Sequence, residues 1–309
     1  MYMNFELQTP EHVISLASSG MIVNVDVNVW SATKQDRAIT NEVINAYKAD
    51  QNSGRFTKNL LANHPTHKAL VNYRQTVSNW LQRRTYDWQG ALRYLPTVSI
   101  EVFMKEYREH EVAFAKLIDE FEAQYPSIVS DMAFKNGDMF NKSDYPDVQE
   151  IRGRFKINLY VTEVPTADFR NNIATEIAED LKRHYMKQAQ SKVDEIMQDA
   201  ASRLVLYAER ISYACGDNDA ELTDDGKKKR KRKIYDTTIE QTKELCNTLQ
   251  HFNLTNNKEL ENARVALAEA LRNVDAEALR DSDAMRLSVK AKVDDVLEKF
   301  TLNTSLFED

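Results

Sequence analysis

The chain has 309 residues and a net charge of -7; 42% of the residues are hydrophobic, and only 7 are glycine and 6 proline. That apolar content excludes a disordered chain, and so little turn punctuation excludes a turn-rich β fold, leaving one or two domains built on long helices. Two cysteines, Cys215 and Cys246, exclude a disulfide scaffold and predict a reducing cytosol.

In chain order, Thr9-Pro10-Glu11 reads as an N-cap, a first-position proline and a first-turn acid, opening a short helix that Gly20 ends. In MIVNVDVNVW, Val23, Val25, Val27 and Val29 alternate with Asn24, Asp26 and Asn28, and this period of two predicts a half-buried strand. Residues 38–49 suit a helix, and QNSG at 51–54 a loop. From Thr66, the stripe Leu70, Tyr73, Val77, Trp80 and Leu81 predicts a helix. Its C-terminal end carries Arg83 and Arg84, where cations favour the dipole. Leu95-Pro96 breaks the run. A second helix from about Ile100 shows Phe103, Tyr107, Phe114, Leu117, Ile118 and Phe121, with Pro126 expected to interrupt it. Residues 135–148 read as a loop. Phe155, Ile157, Leu159 and Val161 then alternate in a second strand, which could pair with the first in one small sheet, with neither register nor direction fixed by the sequence.

From Thr166 to Cys215 there is neither proline nor glycine. Phe169, Ile173, Ile177, Leu181 and Tyr185 recur every fourth residue, and Val193, Ile196, Ala200, Leu204 and Ile211 extend the stripe. An unbroken helix here would reach roughly 70 Å, which suits a coiled-coil arm, or else breaks without proline. Gly216 is a natural stop. An acidic run and seven consecutive bases follow: Lys227, Lys228, Lys229, Arg230, Lys231, Arg232 and Lys233. A helix over 234–252 would fold back, and a last helical region covers 257–300. The expected fold is mostly α with a small β element (α+β). An α+β region would occupy 1–165, and long C-terminal helices at 166–309 an elongated bundle or coiled-coil arm with a charged tip at 217–233.

Charge is segregated along this chain. Residues 51–100 hold seven bases and a single acid, Asp87, together with six aromatics, whereas 101–150 carry a net -7. Single-stranded nucleic acid needs bases for phosphates and flat rings for stacking. Arg55, Lys58, Arg83, Arg84 and Arg93 could supply the first, and Tyr86 and Trp88 the second. The run 227–233 would add a basic helix tip that releases counterions on binding phosphates. The competing readings are packing and charge pairing: Tyr73 and Trp80 share a core stripe, and the acidic block could neutralise the bases.

Catalytic signatures are missing from the sequence. Neither GxxxxGK[ST] nor GxGxxG occurs, there is no GxSxG elbow, and the cysteines form no CxxC unit. His64 and His67 sit as HPTH, unlike the helical HExxH zinc arrangement. No cofactor is implied. No window of about 18 apolar residues predicts a membrane span, and the start MYMNFELQTPEH lacks the regions of a signal peptide.

The ordered pieces VNVDVNVWSATK, GRFTKNLL, LRYLP and DYPDVQEIRGRFKINLYVTEVPTADFR resemble a family of bacteriophage and prophage proteins of unknown function, across roughly residues 20–170. The resemblance implies a phage-encoded protein in the cytoplasm of an infected bacterium and brings no catalytic residues; the run at 227–233 departs from the family pattern. The reading that results is a non-enzymatic phage accessory protein that self-associates into a homo-oligomer and binds nucleic acid, single-stranded by preference. Two alternatives stay open: a protein-only scaffold or adaptor binding a host factor or phage ATPase, and a metal-dependent nuclease with scattered carboxylates.

Overall fold

A computed structural model describes residues 16–164, 175–216 and 232–305. Its elements run in order α1 (Leu16–Ser19), β1 (Gly20–Asn28), β2 (Thr33–Gln35), α2 (Arg37–Ala46), β3 (Thr57–Asn59), α3 (Pro65–Arg84), β4 (Tyr86–Gln89), β5 (Leu92–Pro96), α4 (Ile100–Lys135), α5 (Val148–Ile151) and β6 (Lys156–Glu163). Then come α6 (Thr175–Cys215), α7 (Asp236–Phe252), α8 (Lys258–Ala270), α9 (Ala276–Asp281) and α10 (Asp283–Ser305). Four strands form one sheet in the order β4-β5-β1-β6, so the two alternating strands of the sequence are neighbours. The α+β class holds. The 9–11 helix opening and the boundary at 165 lie outside the described residues, as do Phe169 and Ile173.

The chain divides into two compact units, each assembled from separate stretches. One comprises residues 23–82 and 101–160, and the other residues 1–22, 83–100 and 161–309. In the first, α3 and α4 pack through rings. Trp80 stacks on Phe103 at 4.8 Å, and Tyr73 on Phe114 at 6.0 Å. Their polar edges are met locally: Trp80 Nε1 donates to Glu106 at 2.7 Å, and Tyr73 hydroxyl pairs with His110 Nδ1 at 2.8 Å. Val23, Val25 and Val27 face inward, as their alternation requires.

Pro126 does not break α4, contrary to expectation. A mid-helix proline forfeits one hydrogen bond and costs about 3 kcal/mol. Phe121, Tyr125, Ile128 and Met132 are buried around it, and each large apolar side chain returns about 1.5–3 kcal/mol on burial. Packing on both sides of the proline therefore outweighs the local defect.

The second unit is a helical bundle with a hairpin. At 1.5 Å per residue the 41-residue α6 is about 60 Å long. Val193, Ile196, Ala200, Leu204 and Ile211 are all buried against α7 and α10, as their spacing predicts. Ala200, Ala201 and Ala208 keep that face narrow enough for close approach. The β4–β5 hairpin turns at Gly90, which holds φ +60, a left-handed conformation that glycine adopts without strain. Gly20 serves a different need. A Cβ there would lie 2.3 Å from the Tyr94 ring, so only a bare backbone admits the tyrosine, whose hydroxyl meets Ser19 Oγ at 2.9 Å.

Candidate nucleic-acid interface

The aromatic-basic block at 55–93 does not form one open face, which corrects the sequence expectation. Its members fall in different units: Arg55 and Lys58 in one, Arg83, Arg84, Tyr86, Trp88 and Arg93 in the other. Most are engaged by the protein itself. Lys58, on β3, bridges Asp144 at 2.7 Å and Asp36 at 3.1 Å. The Asp144 bond, followed by that from Asp36, holds its ammonium above the ordinary lysine range against the opposing pull of burial. Asp36 in turn caps α2 by accepting from Ile39 N–H. Arg55 is exposed on the loop before β3.

In the other unit the bases meet the C-terminal end of α3, where carbonyls lack helical partners and the dipole is negative. Arg203, from α6, donates to Arg83 O at 3.4 Å and Thr85 O at 3.2 Å. Arg93, on β5, reaches the same Thr85 O at 3.2 Å and Thr85 Oγ1 at 2.5 Å. It also pairs with Asp87, its cross-strand neighbour in the hairpin. Burial lowers the Arg93 pKa while the Asp87 charge opposes that shift. Arg84 binds Glu244 at 2.6 Å and Thr248 at 3.3 Å on α7. Arg83 keeps an exposed side chain.

The rings of this block are interior. Tyr86 is 1% exposed, packs edge-on to Phe252 at 4.1 Å, and has the Arg203 guanidinium over its ring at 4.8 Å. Burial pushes its hydroxyl well above the ordinary tyrosine range. Trp88 is half-buried and stacks with Tyr94 at 6.2 Å. Neither offers a base an open platform.

An open aromatic-basic surface exists elsewhere, where α6 ends and the chain enters α7. Lys227, Lys228, Lys229, Arg230 and Lys231 lie outside the described residues; Arg232 and Lys233 lie within them. The Arg232 guanidinium sits 3.9 Å over the ring of Tyr213 and donates to the Tyr213 carbonyl at 2.9 Å. Gly216 makes room: a Cβ there would lie 2.7 Å from Arg232 Nη1. Ile234 is buried, and Arg280 holds its carbonyl at 3.0 Å. With Ile234 anchored inward, Lys233 and Tyr235 face out, the ammonium 5.4 Å from the Tyr235 ring. Tyr213 is 67% exposed and Tyr235 55%. Sequence reading missed both tyrosines. Tyr213 is read as one more position on a long helix, and only its distance from the buried Ile211 and Cys215 side chains around the helix marks it as outward.

Among the described residues, no group of three or more His, Cys, Asp or Glu side chains is placed to hold a metal ion, and no helix is long and apolar enough to cross a membrane. Ser212, Lys290 and Asp294 cluster on α6 and α10, where both Ser212 and Lys290 are bonded to the Asp294 carboxylate. Burial raises the thiols of Cys215 and Cys246, the second to about 11, so both stay protonated at neutral pH. A cleft of about 380 Å³ between α8 and α10 has an Ala263, Val296 and Phe300 floor and a rim of Glu259, Asp295 and Lys299. No protein-family model, curated protein or solved structure matches the chain.

Proposed function

We propose that this is a non-enzymatic accessory protein that binds single-stranded nucleic acid through the end of its helical bundle. The observation that carries the reading is the pair of exposed rings, Tyr213 and Tyr235, with Arg232 and Lys233 against them. These two cations close the run of seven bases. Rings that stack on any base and cations that follow the backbone are what sequence-tolerant single-strand binding requires. The phage setting and self-association rest on the sequence alone, on the ordered pieces between residues 20 and 170 and on the long apolar stripe.

Fluorescence anisotropy of a labelled single-stranded oligonucleotide, titrated at several salt concentrations, tests the reading. Affinity should fall with salt, with a slope of about 0.7 per neutralised phosphate. Removing a stacking ring costs about 1–3 kcal/mol per base, so Tyr213→Ala with Tyr235→Ala should weaken binding more than tenfold. Arg83→Glu, outside this surface, should leave it within about twofold. No binding at low salt, or full affinity in the double variant, sinks the proposal.

A protein-only adaptor is the second reading, and one observation favours it. In the unit holding α2 and α4, Phe134 is 90% exposed and Tyr47 82%. Large rings left in water on one unit suit a protein partner. Magnesium-dependent strand cleavage in the same assay would instead promote a nuclease.

A further inference from the structure

One face of α4 is left bare. The opposite face carries Phe103, Tyr107, Phe114 and Ile118 into the core of its unit. Across the helix, Val102 is 52% exposed and Val112 57%, and with Glu101, Lys105, Glu109 and Lys116 they line one open groove of about 850 Å³. Arg108 stands on the same face and is exposed. Among the described residues none of these five charged side chains has an ion-pair partner. Glu101 and Lys105, and likewise Lys105 and Glu109, stand at the i,i+4 spacing that pairs charges along a helix, yet neither pair is made. Further along α4 the acids are used: Arg152 binds Asp119 and Glu122, each at 2.7 Å.

The order of the bare charges is its own complement when reversed. Glu101 and Lys116 stand at the two ends of the face, about 22 Å apart at 1.5 Å per residue. Arg108 and Glu109, an adjacent base and acid, mark its midpoint. A second α4 laid antiparallel about that midpoint puts Glu101 opposite Lys116, and the two-fold axis repeats the match at the other end. Lys105 and Val112, two turns apart at the centre of the face, then meet across the seam, the lysine stem covering the valine while its ammonium stays in water. Val102 falls beside the other copy's Ala113. Arg108 and Glu109 of both copies gather at the axis as two bases and two acids. A parallel copy would instead set Glu101 on Glu101 and Lys105 on Lys105, and like charges repel.

We propose that this face of α4 is a homodimer seam, occupied by a second copy of the chain in antiparallel register. The α6 stripe from Val193 to Ile211 is already covered by α7 and α10 of its own bundle, whereas this face is uncovered. The seam rests on the self-association of the proposed function and is independent of nucleic-acid binding. About four turns of helix make a small interface, so the dimer should be weak and should depend on concentration and salt.

Sedimentation velocity of the full chain over a range of concentrations, at low and high salt, tests the seam. Wild type should pass from monomer to dimer as concentration rises, and salt should weaken the dimer. Val112→Arg should leave a monomer. Glu101→Lys, which faces Lys116 with a like charge at both ends of the seam, should weaken dimerisation about tenfold, and adding Lys116→Glu should restore it. All three positions are exposed, so each variant should fold, which circular dichroism checks. A monomer at every concentration overturns the seam and the self-association together. A dimer that Val112→Arg leaves intact overturns the seam alone. A loss in Glu101→Lys that Lys116→Glu does not restore overturns the antiparallel register.

Discussion

Tyr86 and Tyr213 carry the same arrangement and end in opposite environments. Each ring lies under a guanidinium, Arg203 at 4.8 Å and Arg232 at 3.9 Å. Each arginine also donates to carbonyls at a helix C-terminal end, that of α3 or of α6. Yet Tyr86 is 1% exposed and Tyr213 67%. In the hairpin region the pair is an internal strut: Phe252 closes the ring and Asp199 neutralises Arg203 at 2.7 Å. At the end of α6, the same two side-chain types leave a ring open to solvent. Composition alone does not distinguish a binding surface from a core; what the neighbours cover does.

The sharpest way to break this comparison is truncation of both rings. Tyr86→Ala removes a fully packed aromatic and should cost about 3–5 kcal/mol of unfolding free energy. Tyr213→Ala, on the surface, should stay within about 0.5 kcal/mol. Urea denaturation followed by circular dichroism reads both. Similar losses for the two would mean that the end of α6 is packed and that no platform exists there.

The difference between these regions also marks how far the sequence could be read. Long elements with one dominant period were legible: the valine alternation of β1, the α3 stripe, and the α6 stripe from Val193 to Ile211 all appear where expected. The β4–β5 hairpin was not. Its strands are short, and in the sequence Tyr86 and Trp88 stand among bases as candidate stacking rings, with no periodicity long enough to mark a hairpin. The partner that buries Tyr86, Phe252, lies 166 positions away, and periodicity does not report such contacts. The charge map pointed to acids at 101–150 as partners for the basic block. For Lys58 that is correct through Asp144. Arg84 takes Glu244 from α7 instead. Arg93 turns to Asp87, the one acid inside the block. Even the path of α4 through Pro126 follows from tertiary burial, which overrides a local breaker when large side chains flank it.

Two glycines sharpen the same contrast with a smaller effect. A Cβ on Gly20 would press into the Tyr94 ring at 2.3 Å, and that ring is fully buried. Gly20→Ala should therefore cost about 1–3 kcal/mol, as overpacking of a closed core does. A Cβ on Gly216 would meet the tip of Arg232, at 2.7 Å from Nη1, and more mildly the Tyr213 carbonyl oxygen at 3.3 Å. A long side chain can swing aside, so Gly216→Ala should change stability by no more than about 0.5 kcal/mol. It should instead lift Arg232 off Tyr213 and weaken oligonucleotide binding. Equal thermal midpoints for the two variants would show that the hairpin yields as readily as the bundle end.

The smallest expected effect is the most discriminating test of how dry the hairpin core is. The Tyr86 hydroxyl is buried and has no hydrogen-bond partner among the described residues. A buried polar group in that state is a liability, since it has left water without compensation. Tyr86→Phe deletes only this oxygen and keeps the ring against Phe252 and beneath Arg203. Stability should hold or rise by up to about 1 kcal/mol. A loss of that size would mean that the oxygen is satisfied, with an internal water as the natural partner. The strut would then be a hydrated polar site, and its separation from the open surface at Tyr213 would be one of degree.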